Sequence, residues 1–211
     1  MVGKLYVVST PIGNEHQITL EAINILQKVP IIAAENMGSN RPRIEKIIGK
    51  TQSLWMPYFD TNETTQSLKI IAHLKQGKDV ALISSAGTPV ICDPGYRLII
   101  NAYKYNIPVE SIGGCSSVIG ALSIAGLPPF PFTFFGFFHR KFFKEPLPSY
   151  THIFFESSHR IQETVEFLQS LNQWKIILIK DLGKPYFARY VVGQDEWNPQ
   201  GEWVILIGAC D

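Results

Sequence analysis

Cysteine is scarce in this sequence: Cys92, Cys115 and Cys210 are the whole supply. They are odd in number, far apart and never in a CxxC pair, so neither a disulfide framework nor a zinc site is indicated. A reducing cytoplasm suits such a chain. Long apolar runs are missing as well. Nothing approaches the roughly 20 consecutive apolar residues of a membrane span. The opening Met1-Val2-Gly3-Lys4-Leu5 lacks a signal peptide's apolar stretch and small-residue cleavage site. There is no excess of one charge: 19 Lys+Arg face 18 Asp+Glu, a formal net charge of +1. Any surface that recruits nucleic acid must therefore be local. The composition of a disordered chain is absent too, since 45% of residues are hydrophobic and 18% charged. The 211 residues suit one large domain or two small ones.

What is present is an alternation of short apolar runs with amphipathic segments. Lys4–Ser9, Ile31–Ala34, Ser53–Trp55, Asp79–Ile83 and Val109–Ser111 read as strands. Between them, helices are expected over Thr19–Gln27, with Leu20, Ile23 and Leu26 inward, over Pro42–Ile48, with proline in the first turn, over Glu63–Gln76, with Leu68, Ile71, Ala72 and Lys75 in helical spacing, and over Tyr96–Tyr105. Such βα alternation predicts a mostly parallel sheet with helices on its faces. The second half reads differently. Helices over Ser116–Ala125 and Ile161–Leu171 are set among strands at Phe132–Phe135, Thr151–Phe155, Lys175–Ile179, Tyr186–Val192 and Glu202–Ile207. The last two, joined by a Gly/Asn/Pro-rich turn, read as an antiparallel hairpin, hence a mixed sheet. The fold class is α/β, with a boundary near Ile112–Cys115 dividing residues 1–113 from 114–211.

Five segments carry candidate chemistry. Ser9-Thr10-Pro11-Ile12-Gly13-Asn14 follows the first strand, where open α/β sheets bind ligands; a plain turn is the alternative. It is neither GxGxxG nor a Walker loop. Ser84-Ser85-Ala86-Gly87-Thr88-Pro89, then Cys92-Asp93-Pro94-Gly95, offers small residues and free backbone groups to a flat ligand, although Asp93 also suits the N-cap of the next helix. Gly113-Gly114-Cys115-Ser116-Ser117 is an anion-binding helix start or a hinge. Phe155-Glu156-Ser157-Ser158-His159-Arg160 joins strand to helix, with a serine as N-cap and Glu156 paired with Arg160 as the plain reading. Phe134 to Lys144 interleaves aromatics with Arg140 and Lys141, a pattern that suits bases and phosphates. Arg41, Arg43, Lys46 and Lys50 form a second basic cluster, read as a solvated helix face.

In order along the chain these segments resemble the tetrapyrrole-methylase superfamily, in its ribosomal RNA small subunit methyltransferase I branch. The resemblance runs from Leu5–Asn14 through Ala33-Ala34-Glu35, Val80–Ser84, Ala86–Pro89, Asp93-Pro94-Gly95 and Gly126-Leu127-Pro128. It continues to Gly136-Phe137, Arg140-Lys141, Phe155-Glu156-Ser157, His159-Arg160 and Gly201-Glu202. It implies two α/β domains with S-adenosylmethionine in the cleft between them, a homodimer, and 2′-O-methylation of a cytidine in small-subunit ribosomal RNA. Carried over by position, the cofactor would contact Pro11, Gly13, Ser85, Ala86, Gly87, Thr88, Ser116, Ser117 and Leu127. Arg140, Lys141 and Arg160 would meet RNA of the small ribosomal subunit. No metal is required, because a sulfonium is already an activated leaving group. A ribose hydroxyl is a weak acid, so a base is expected, and Glu35, Asp93, Glu156 and Lys184 are the candidates.

The departures from the branch cluster on polar positions. Ser85 stands where the branch has Asp, Asn36-Met37-Gly38 where it has Asp-Thr-Arg, and Phe59 and Thr61 where it has histidines. Two other readings stay open: a methylase of a small molecule such as a tetrapyrrole, and a non-catalytic module that binds cofactor or ribosome.

Overall fold

The computed structural model describes residues 1–209, so Cys210 lies outside the described residues. The chain divides into two units, Met1–Ser116 and the remainder from Ser117. The first holds β1 (Leu5–Val8), α1 (Leu20–Lys28), β2 (Ile31–Ala34), α2 (Met37–Ile48), β3 (Leu54–Pro57), α3 (Glu63–Lys75), β4 (Val80–Ile83), α4 (Tyr96–Lys104) and β5 (Val109–Ile112). Its five strands pair in parallel in the order β3-β2-β4-β1-β5. The central strands are buried on both faces, which is why they read as unbroken apolar runs. One face carries α1 and α2, packing Ala22, Leu26, Ile44 and Ile48 on Val8, Ile32 and Ile83. The other carries α3 and α4, packing Ile70, Leu74, Leu98 and Ala102 on Leu5, Ala33 and Leu82.

Three helix readings need correcting. Ala22 and Leu26 are the buried pair of α1, whereas Leu20 is 80% exposed. In α3 the inward positions are Ser67, Ile70, Ile71 and Leu74, and Leu68 faces outward. Helix α2 begins at Met37, five residues before Pro42, because Asn36 caps it by accepting the Ser39 N–H. Pro42 is exposed, and the Gly38 carbonyl that it leaves without an intrahelical donor belongs to an exposed residue, so the proline is tolerated inside the helix.

Asp93 does not cap α4. The N-cap is Gly95, whose φ of +146° is glycine territory, and the capping acceptor comes from another helix. Glu63 Oε1 accepts Gly95 N–H at 2.9 Å, Arg97 N–H at 3.2 Å and the buried Tyr58 hydroxyl at 3.1 Å. A carboxylate on a helix N-terminus is favourable. Its loss here would also strand a buried hydroxyl. Glu63→Ala is therefore expected to destabilise the protein by about 2–4 kcal/mol, read as a drop in the urea midpoint. A midpoint shift below a tenth of the parent's value would remove this role.

The second unit holds α5 (Ser117–Ala125), β6 (Phe132–Phe137), β7 (Thr151–Glu156), α6 (Ile161–Ser170), β8 (Trp174–Lys180), β9 (Ala188–Val191) and β10 (Trp203–Ala209). Its sheet is mixed, in the order β6-β7-β10-β8-β9 with β6 parallel to β7 and the other pairs antiparallel. The expected hairpin of the last two strands is not formed. β9 pairs with β8, and β10 inserts between β8 and β7. The reason is burial. β10 has six buried residues and must lie inside the sheet, whereas the shorter, part-exposed β9 suits an edge. Alternation along β8 sends Ile177 and Ile179 to the α5 face and Ile176 and Leu178 to the α6 face.

Candidate active site

The strand order of the first unit fixes where a ligand crevice can form. From β1 the chain crosses to β2, on the far side of β4, through α1. From β4 it crosses to β5, on the far side of β1, through α4. These two helices pack on opposite faces, so the loops leaving β1 and β4 diverge at their carboxyl ends. That divergence is the topological switch point at which open α/β sheets bind ligands. The loops that part there are the two picked out by sequence, Ser9–Asn14 and Ser84–Pro89.

They are knitted together. Thr10 and Gly87 exchange backbone hydrogen bonds at 2.9 and 3.0 Å. Ser9 Oγ donates to Thr88 Oγ1 at 3.2 Å, and Thr88 Oγ1 donates to the Cys115 carbonyl at 3.1 Å, which brings the segment after β5 into the same edge. Gly114 approaches so closely that a Cβ there would lie 2.6 Å from Ser9 Cβ. The turn after β1 is fixed from within. Gln17 Oε1 accepts the N–H groups of Ile12, Gly13 and Asn14 at 3.1, 3.1 and 3.2 Å. Beyond Pro89 the backbone is strained: Val90 and Cys92 have φ of +76° and +64°. A β-branched residue held there costs about 1–3 kcal/mol, and such strain collects at functional sites.

Two candidate bases lie at this edge. Glu35 follows β2, and its Oε2 accepts the Ser85 hydroxyl at 2.7 Å. Asp93 follows β4. Burial pushes its carboxyl up to about 7, with the Glu35 and Asp60 carboxylates adding to the rise and a hydrogen bond with Ser84 opposing it. A carboxyl that titrates near neutrality is suited to general acid–base work.

The other two candidates belong to the second unit and are committed elsewhere. Glu156 is buried, with Oε1 accepting Ser157 N–H at 2.7 Å and the Arg160 guanidinium at 2.8 Å, and Oε2 accepting the Thr164 hydroxyl at 2.8 Å. It anchors the start of α6, where neither Ser157 nor Ser158 is the N-cap. Lys184 bridges Asp181 at 3.3 Å and Glu202 at 2.9 Å. Burial lowers its pKa, but hydrogen bonds and attraction from Glu202 and Asp181 outweigh that and raise it, so the ammonium keeps its proton. Of the RNA candidates, Arg140 pairs with Glu163 at 2.6 Å and lies over the Phe167 ring, Lys141 lies over Phe142, and Arg160 is tied to Glu156. All three are exposed.

Among the proposed cofactor contacts, Pro11, Gly13, Ser85, Ala86, Gly87 and Thr88 come together in the first unit, and Ser116 closes it. Ser117 opens α5 of the second unit, and Leu127 is packed in that unit's core against Gly208. The residue that sequence reasoning missed is Arg43. Placed with a solvated basic cluster, it instead turns inward and donates to the Ser85 carbonyl. Its signal was hidden by the misplaced helix start. With α2 beginning at Met37, Arg43 follows buried Asn40 by three residues and precedes buried Ile44 by one.

The edge fits an adenosyl group and a cationic sulfonium. Gly13, Ala86 and Gly113 leave it open, and a Cβ at Gly113 would meet nothing within 4 Å. Glu35 and Asp93 supply the acidic groups. Comparison with known proteins agrees. The profile of the tetrapyrrole (corrin/porphyrin) methylases matches residues 4–194. Ribosomal RNA small subunit methyltransferase I of Hydrogenobaculum sp. is 43% identical over 176 residues, 80% of this chain and 75% of that protein. The protein of that name from Halalkalibacterium halodurans is 35% identical over 192 residues, 87% of this chain and 66% of its own. In fold, the chain is similar to uroporphyrin-III C-methyltransferase from Thermus thermophilus, solved with S-adenyl homocysteine. The TM-score is 0.66 at 16% identity, covering 98% of this chain and 97% of that one. The chain therefore belongs to the tetrapyrrole methylases and is an S-adenosylmethionine-dependent methyltransferase.

Proposed function

We propose that this methyltransferase acts on small-subunit ribosomal RNA, at the 2′-oxygen of a cytidine, with Asp93 as the general base. The observation that carries the choice of base is the half-buried Asp93 carboxyl at the switch-point edge, pushed up to about 7 by burial and by the Glu35 and Asp60 carboxylates. The names of the relatives support the RNA substrate. S-adenosylmethionine, when bound, supplies a methyl group on a sulfonium. Pro11, Gly13, Ser85, Ala86, Gly87, Thr88 and Ser116, all of the first unit, would hold it. The Thr10–Gly87 bridge keeps the two loops in register, so that acceptor and donor meet in a fixed geometry; alignment of this kind removes much of a transfer barrier. Asp93 would accept the proton that the ribose hydroxyl gives up.

The protein works in the cytoplasm, where its substrate is, and as a homodimer. No helix among the described residues is long and apolar enough to cross a membrane. Support for a second copy comes from α4, which exposes Tyr96, Ile100 and Tyr103 on one stripe. The deciding experiment is transfer of labelled methyl to small subunits, followed by mass mapping of the modified nucleotide. Label on a ribose oxygen of a cytidine is expected. Label on a base, or on a porphyrin and on no RNA, overturns the reading.

Arg140, Lys141 and Arg160 recruit the RNA. Arg140→Ala with Lys141→Ala is expected to weaken subunit binding and to reduce the slope of log affinity against log salt by about 1–2. Cofactor affinity should stay within twofold. Pelleting across a salt series and calorimetry read the two quantities. An unchanged slope moves the RNA surface away from this pair.

A further inference from the structure

Ser85, the second residue of the loop after β4, is gripped from two sides. Its carbonyl accepts a hydrogen bond from Arg43 of α2, and its hydroxyl donates to Glu35 at the end of β2 at 2.7 Å. Neither polar atom of Ser85 belongs to the sheet, because β4 ends at Ile83. Nearby cations of α2 have ordinary surface employment. Arg41 pairs with Glu45 and lies over Trp55, and Lys46 pairs with Glu15. Arg43 differs from them. It has no carboxylate partner among the described residues, its Nε is buried without a hydrogen-bond partner, and burial works against its charge. Desolvating a guanidinium for a single carbonyl is unfavourable in isolation. Such an arrangement is explained if the position of that carbonyl matters.

We propose that Arg43 is a positioning residue: by clamping the Ser85 peptide it sets the Ser85 hydroxyl, which in turn holds the Glu35 carboxylate in place. The relay has a consequence for Asp93. After burial, the charges that raise Asp93 are those of Glu35 and Asp60, with Ser84 opposing them; Cys92 is the neighbouring titratable group. Arg43 acts on Asp93 only through Ser85 and Glu35. With the clamp removed, Glu35 is free to turn toward water, and Asp93 loses part of the repulsion that keeps it protonated. Arg43 thereby enters the proton-handling machinery by positioning alone. The relay also gives the Ser85 hydroxyl a specific use.

The inference rests on the reading of Asp93 as the base, and the experiment separates the two. Asp93 is titrated by carboxyl ¹³C NMR in the full-length parent and in Arg43→Met, Arg43→Lys and Ser85→Ala, alongside the pH profile of kcat/KM for each. In Arg43→Met and Ser85→Ala the Asp93 midpoint is expected to fall by about one pH unit. Arg43→Lys, which keeps a donor for the carbonyl, should move it less and in the same direction. A merely structural arginine would lower the melting temperature and leave the midpoint alone, and that result overturns the proposal. So does a midpoint that moves in Ser85→Ala and not in Arg43→Met. If Arg43→Met fails to fold, Ser85→Ala carries the test, and an unmoved midpoint in it overturns the proposal. A midpoint that falls while the kcat/KM profile stays put supports the relay and refutes Asp93 as the base.

Discussion

Asp93→Asn is expected to lower kcat/KM by about 10²–10⁴-fold, the usual worth of a positioned general base. In the parent, kcat/KM should rise with pH and level off above about 7, since the carboxyl must be ionised to accept a proton. The variant should lose that ionisation and give a low, flat profile. Stability supplies an opposite signature. A carboxyl raised from 3.8 to about 7 binds a proton in the folded protein that the unfolded chain has already released. Folded stability therefore declines as pH rises between those values, and the loss is complete above the upper one. Asparagine carries no such penalty. Thermal melts at pH 8 should place the variant above the parent, whereas below pH 3.8 the two should coincide. A variant that is both inactive and less stable at pH 8 would make Asp93 a structural residue.

Gly87→Val should abolish cofactor binding, with affinity reduced on the order of 100-fold or more, or about 3 kcal/mol. Gly87 has a φ of +77°, which L side chains rarely adopt and β-branched ones least of all. A Cβ there would lie 3.3 Å from Ile12 Cγ2 and 3.6 Å from the Cys115 carbonyl, so valine's two methyls would be forced among all three loops. The paired bonds to Thr10 prevent the backbone from yielding without opening the edge. The core of the first unit is elsewhere, in the layers above and below the sheet, so the protein should still fold. Calorimetry with S-adenosylmethionine, beside a far-ultraviolet circular dichroism spectrum, decides the matter. Normal binding by a folded variant would mean that the loop is scaffolding.

The strands of the first unit were legible because parallel strands buried on both faces read as uninterrupted apolar runs: Ile31–Ala34 is both the expected and the observed range of β2. Helix ends were harder to read. A proline at Pro42 looks like a first turn, and only the hydrogen bond from Ser39 to Asn36 shows that the helix begins earlier. The loops Ser9–Asn14 and Ser84–Pro89 could be found as strings of small residues and turn formers. Their joint edge could not, because it depends on a bond between residues 77 positions apart, Thr10 and Gly87.

Local pattern thus determined the α/β class, the parallel first sheet and the segments worth watching. These depend on side-chain periodicity and on residue types with a single strong backbone preference. Tertiary structure decided the rest. It put β10 inside the second sheet and β9 at its edge, since burial on two faces is a property of the whole sheet. It separated four equivalent-looking bases into two that are committed to ion pairs or a capping network and two at the switch point. Proton affinity depends on burial and on charges contributed by other strands, as Glu35 and Asp60 do for Asp93. It also turned Arg43 inward, because the side a helical residue faces is set by where the helix begins and what it packs against.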